Sequence, residues 1–154
     1  MSRKLRKQIE VEREQLHQAI KLHRPLLDRA GTRELDAIEL SAAAAFLHSF
    51  YTGIENIFER IAIDLDGANP SGTRWHRDIL DRMALAAGLR PRVISEGLRA
   101  ELAQYLVFRH FFRNAYVFHL RWEKMEDLVR GCERVFGSLE KELDLFLELL
   151  DSEG

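Results

Sequence analysis

Apolar residues recur every three to four positions along most of the chain, with charged residues between them. This spacing is typical of amphipathic α-helices, whose side chains return to the same face about every 3.6 residues. No segment carries the period-two alternation of a half-buried β-strand. The pattern therefore predicts an all-α protein.

The same pattern divides the chain into about five helices. Pro25 lies inside the first and is expected to bend it or end it early. Gly88 is expected to end the third, and the turn formers of residues 66–72 predict a loop before it. Together the segments predict an antiparallel helical bundle in one domain, residues 1–154. The predicted segments are Leu5–Leu27, Leu35–Leu65, about Arg74 to Ala87, a helix that starts at the N-cap Ser95, and about Trp122 to Leu150.

The composition is that of a folded globular domain. Of the 154 residues, 46% are hydrophobic and 31% are charged, which argues against disorder. A single cysteine, Cys132, lies among apolar residues and is expected to pack as a core thiol. Residues 1–7 are too charged for a signal peptide, and no apolar run reaches the ~18 residues of a membrane span. We therefore expect a cytoplasmic protein with no membrane association.

Charge is distributed unevenly, although the net charge is only −2. Residues 90–124 hold seven basic and three acidic residues, whereas residues 133–154 hold seven acidic and two basic ones. Local positive charge on an acidic molecule favours a phosphate-binding site over a general coat for nucleic acid. A solvated helix face is the alternative interpretation.

Residues 105–120 combine arginine, histidine and asparagine with aromatic and aliphatic neighbours. On a straight helix, Arg109, Arg113 and Tyr116 fall within about 60° of one another, and His110 lies beside Asn114. Two guanidinium groups on one face can bind the oxygens of a phosphodiester and stabilise the charge that develops during its transfer. A neighbouring histidine can move a proton near neutral pH. Salt bridges to Glu55 or Glu59 on the second helix would be the structural alternative.

These residues resemble the motif of the HepT-like branch of the HEPN superfamily, which consists of metal-independent ribonucleases that usually serve as toxins. In that motif an arginine is followed by four residues, a histidine, one residue and a tyrosine. Arg109, Asn114 and Tyr116 occupy this frame, with Asn114 at the position of the histidine. Residues 50–56 also resemble the buried helix of that family, and the order of helices agrees.

The asparagine departs from the motif because an amide does not exchange a proton at neutral pH. Three explanations stay open: the active histidine is His110 or His119, the protein is a silent member, or Asn114 is an introduced, inactivating substitution. A second frame, with Arg113 followed by five residues and His119, fits the looser spacing of the wider superfamily.

The resemblance implies a HEPN-like bundle with endoribonuclease activity that leaves a 2′,3′-cyclic phosphate. Arg109, Asn114, Tyr116 and His110 would be the catalytic residues, and Arg113 and His119 would bind the substrate. The resemblance also implies a homodimer with the motif helices across a cleft, a nucleotidyltransferase antitoxin as partner, and Tyr116 as the site of adenylylation.

A different class of function is a catalytically silent helical protein that binds RNA, a nucleotide or the nucleotidyltransferase through the same groove. No cofactor and no metal are expected. The pair Glu14 and His17 has the Glu-x-x-His spacing of di-metal bundles, but no second copy occurs, so a solvated face is the expected reading. His76, beside Trp75, is expected to pack or cap.

Overall fold

The computed structural model describes residues 2–153 and has no strand among them. It contains six α-helices and one short 3-10 helix, so the expectation of an all-α protein is confirmed. The helices are α1 (Arg3–Leu22), α2 (Arg24–Thr32), α3 (Ala37–Asp66), α4 (Trp75–Met83), α5 (Glu96–Asn114) and α6 (Trp122–Glu153), with the 3-10 helix at Val117–His119.

The sixth helix arises because the first predicted helix is interrupted. His23 both ends α1 and precedes α2, and its ring nitrogen Nδ1 lies 2.8 Å from the carbonyl oxygen of Ala19. Pro25 occupies the first turn of α2, where its missing N–H leaves no helical hydrogen bond unmade. The expectation that Pro25 ends the first helix early is therefore confirmed.

Helix α3 forms the centre of the bundle and contacts α1, α4, α5 and α6. It starts at a capping box between Asp36 and Glu39 and ends at Gly67, whose φ of 64° is readily adopted only by glycine. Helix α3 contacts the chain of α1 in reversed order: Phe46 meets His23, whereas Gly53 faces Leu16. It also contacts α5 in reversed order, since His48 meets Phe112 and Thr52 meets Arg109. Such reversed pairing makes the bundle antiparallel, as the sequence predicts.

Helix α4 is shorter than predicted, because it ends at Met83 and not at Gly88. The Met83 carbonyl accepts hydrogen bonds from the backbone of Val93 and Ile94, so it is already used by the returning chain. Gly88, with φ 57°, instead lies in a tight turn closed by Ala87 and Arg90. The prediction that Gly88 ends this helix is therefore wrong.

Arg90 is the charged side chain that holds this return in place. Only 5% of it is exposed, and its guanidinium group binds the buried carboxylate of Asp66 with an Nη2–Oδ2 distance of 2.8 Å. The same group donates to the carbonyl oxygens of Leu85 and Pro91, each at 2.9 Å. It also reaches the carbonyl oxygen of Arg82 in the last turn of α4, at 3.4 Å, so Arg90 ties the end of α4 to the chain that follows it.

Cys132 lies in the core, as expected. Burial raises the pKa of its thiol to about 12, so the thiol stays protonated and unreactive at neutral pH. No helix in the described part of the chain is long and apolar enough to cross a bilayer.

Candidate functional site

The two arginines of the predicted phosphate site lie in the last turns of α5, against α3. The Nε group of Arg109 donates to the hydroxyl of Thr52 at 3.4 Å, and that hydroxyl donates to the His48 carbonyl at 2.8 Å. Arg109 is half-buried, and Arg113, one turn on, is exposed. The Thr52 contact fixes one edge of the Arg109 guanidinium and leaves its other donors for a ligand.

Neither arginine forms an ion pair with any side chain described between residues 2 and 152. The structural alternative, a salt bridge to Glu55 or Glu59, is therefore wrong. Glu55 is 3% exposed and binds the imidazole Nδ1 of His76 at 2.8 Å instead. The buried Glu55 carboxylate therefore already has its partner on α4. Arg109 and Arg113 on α5 have no carboxylate partner among the described side chains.

A third polar group, His48 on α3, completes the cluster and was not predicted. Its ring packs against Phe112, the residue before Arg113, with the ring centroids 5.5 Å apart. Partial burial lowers the pKa of His48, and the charges of Arg109 and Arg113 lower it further. The imidazole is therefore neutral at pH 7, next to two guanidinium groups.

Tyr116 does not share the face of the two arginines, which corrects the expectation of one continuous stripe. Helix α5 ends at Asn114, and Ala115 is already extended, with φ −105° and ψ 151°. The Tyr116 ring stacks on Phe118, with 5.4 Å between centroids, and 69% of the residue is exposed. The prediction was wrong because it continued the helix for two residues after its end.

Asn114 and His119 form hydrogen bonds that explain why α5 ends where it does. The Asn114 amide donates to the His110 carbonyl at 3.0 Å, and the Tyr116 backbone N–H donates to His119 Nδ1 at 3.3 Å. Both contacts satisfy groups that a helix terminus leaves unpaired. The expected proximity of His110 and Asn114 is confirmed, and the His110 residue itself is exposed.

The chain was compared with known families, curated proteins and solved structures. A family model described as HepT-like protein matches residues 42–150, more than half of the chain. The chain belongs to the HepT-like family. No curated protein matches the chain, and no solved structure does.

The region that matches the HepT-like family contains the whole cluster on α3 and α5. Helix α5 is an α-helix through both Arg109 and Asn114, so the two residues point about 140° apart around its axis. One straight helix therefore does not direct both side chains at a single phosphate.

A polar groove between α1 and α3 opens beside this cluster and has a volume of about 410 Å³. It is large enough for a nucleotide-sized group and carries hydroxyl, amide and carboxylate groups. Its polar lining residues are Glu12, Gln15, His48, Ser49, Thr52 and Asn56.

The weaker sequence candidates take structural positions. His17 Nε2 lies 2.9 Å from the carboxylate of Glu140 on α6, and Glu14 accepts a hydrogen bond from Gln18. Within residues 2–153 no group of three or more His, Cys, Asp or Glu side chains is placed to hold a metal ion. The expected packing role of His76 is confirmed by its contacts with Glu55 and Trp75.

Proposed function

We propose that this HepT-like protein is a metal-independent endoribonuclease of the toxin type. In the proposed reaction, the 2′-hydroxyl of a ribose attacks the adjacent phosphorus and leaves a 2′,3′-cyclic phosphate. The observation that carries the proposal is the pair Arg109 and Arg113, which have no carboxylate partner in the described chain and lie beside a neutral imidazole. Guanidinium groups without an acid partner are free to bind the scissile phosphate.

Asn114 favours a second candidate, a silent member that binds RNA without cleaving it. Its amide is already hydrogen-bonded to the backbone of α5 and cannot transfer a proton. The two candidates differ in one measurable respect, since only the first breaks the RNA chain.

The proposal is tested by incubating purified protein with a labelled RNA in excess EDTA, next to the variant Asn114→His. We expect cleavage by the parent chain and faster cleavage by Asn114→His, because the histidine restores the proton-transfer group of the family motif. Chelation should change neither rate, since guanidinium and imidazole groups supply the chemistry. RNA binding without cleavage by both proteins would support the silent candidate, and activity only after addition of a divalent ion would overturn the mechanism.

A homodimer is part of the proposal, because α5 alone directs Arg109 and Asn114 apart. Exposed apolar side chains near the end of α5 support such an interface: Val107, Phe111, Val117 and Phe118 are between 43% and 67% exposed. Exposed apolar side chains that cluster on a protein surface often mark an interaction site.

We therefore expect light scattering at micromolar concentration to give twice the 17.9 kDa of one chain. Phe118→Asp should reduce the mass toward one chain, because it places charge in the proposed interface. Leu89→Asp is the matched control, since Leu89 is 96% exposed in the turn after α4. A parent protein that is strictly monomeric at this concentration would contradict the dimer.

A nucleotidyltransferase antitoxin is the proposed partner, and Tyr116 is the proposed site of its modification. The exposure of Tyr116 supports this role, because a modifying enzyme must reach the phenol oxygen. An added adenylyl group would place a negative charge in the segment directly after α5.

A further inference from the structure

His48 lies on α3 next to the arginine pair of α5, which it reaches through contacts with Thr52 and Phe112. Its carbonyl holds the Thr52 hydroxyl, and that hydroxyl holds Arg109. Its ring contacts Phe112, which lies between the two arginines on α5. It also lines the groove between α1 and α3, so its imidazole is reachable from solvent on that side.

We infer that His48 is the general base of the proposed RNA cleavage and takes the role that Asn114, in place of the motif histidine, does not fill. This inference rests on the proposed function. His48 removes the proton of the 2′-hydroxyl while O2′ forms its bond to phosphorus. The P–O5′ bond then breaks, its electron pair stays on O5′, and that oxygen takes a proton from water. His48 returns its own proton to water, so the protein is unchanged after each turnover.

The other histidines near the motif are less suited to this step. His110 is exposed and lies on α5 about 100° around the helix from Arg109. His119 uses Nδ1 to accept the Tyr116 backbone N–H in the turn after α5. Of these three histidines, His48 is the one that reaches the arginines from a different helix.

The charges around His48 also suit a base. Arg109 and Arg113 face it from α5, and Glu12 lines the same groove from α1. Its pKa is lowered from 6.5 by burial first and by the two arginines second, so the free base is present at neutral pH. A bound phosphate offsets the positive charge of the arginines and raises the pKa, which helps the imidazole to accept a proton.

The test is single-turnover cleavage of an RNA between pH 5 and 8 by the parent chain, His48→Gln, and His17→Gln. The parent rate should rise with pH and level off near neutrality, since a base works in its deprotonated form. His48→Gln should lower the plateau of the cleavage rate on the order of 10²-fold or more. Its rate should also no longer rise with pH at the acidic end of the range. His17→Gln, on the far face of α1, should match the parent. Added imidazole should restore part of the rate of His48→Ala.

A second readout does not depend on cleavage. The NMR titration of the His48 ring should give a pKa below 6.5 that rises in Arg113→Ala and on binding a 2′-O-methyl RNA oligonucleotide, which cannot be cleaved. A ring that ignores this oligonucleotide overturns the inference.

The outcomes separate the two proposals. A parent chain that cleaves RNA while His48→Gln keeps its rate and pH profile overturns the role of His48 and leaves the ribonuclease. If the rise of the cleavage rate with pH is lost in His110→Gln or His119→Gln and not in His48→Gln, the role of His48 is likewise overturned and the ribonuclease is left. A parent chain that never cleaves RNA overturns the proposed function, and the role of His48 with it.

Discussion

Arg109→Ala should lower the rate of RNA cleavage by about 10²-fold or more, the effect typical of losing one preorganised donor to a developing charge. Its free energy of unfolding should stay within about 1 kcal/mol of the parent, because the only hydrogen bond lost within the described chain is the 3.4 Å contact to Thr52. Removing the guanidinium also relieves its repulsion with Arg113. Single-turnover cleavage and urea denaturation measure the two quantities.

Arg92→Ala is the matched control, since Arg92 is exposed before α5, far along the chain from the cluster. We expect it to change neither cleavage nor stability. A loss of about 3 to 5 kcal/mol in Arg109→Ala with unchanged cleavage would mean that Arg109 stabilises the fold through a buried partner. That result would leave the family membership intact and remove the proposed phosphate site.

Arg90→Ala should lower the free energy of unfolding by about 3 to 5 kcal/mol. The substitution strands the Asp66 carboxylate, whose side chain is 2% exposed, without its buried counter-charge. It also removes the donors to the carbonyl groups of Leu85 and Pro91. The return of the chain after α4 should therefore loosen first.

Arg134→Ala is the control for this variant, because the Arg134 side chain is 65% exposed and pairs with Glu101 at the surface. An exposed ion pair contributes about 1 kcal/mol or less, so the control should unfold near the parent. Urea denaturation distinguishes the two variants. Equal stability of Arg90→Ala and Arg134→Ala would mean that the buried pair does not hold α4 in place.

The sequence predicts the fold well where apolar residues follow one face for many turns. Helix α6 and the central α3 both agree with the prediction to within a few residues, since burial on one side fixes their period. The end of α4 could not be predicted, because it depends on groups outside the helix: the guanidinium of Arg90 binds the Arg82 carbonyl, and the backbone of Val93 and Ile94 binds that of Met83. A glycine at position 88 indicates a left-handed residue but not the element in which it lies.

The candidate site was predicted in part. The positions of Arg109 and Arg113 followed from their spacing of four residues, but Tyr116 did not, because side-chain and backbone hydrogen bonds end α5 at Asn114. His48 was missed because its neighbours at the site belong to another helix. One available signal was a histidine inside the apolar stripe of α3, four residues before a threonine. Both side chains are half-buried in the structure, and α5 supplies partners for both.

The central claim is that this HepT-like chain cleaves RNA through its 2′-hydroxyl at the arginine pair. It is tested most directly with two oligonucleotides in EDTA, one of RNA and one with a single 2′-deoxyribose at the linkage that the protein cuts. We expect the RNA to be cut with a 2′,3′-cyclic phosphate on the upstream fragment, detected by mass, and the deoxy linkage to stay intact. Cleavage of the deoxy linkage, or intact RNA with both the parent and Asn114→His, would contradict the account.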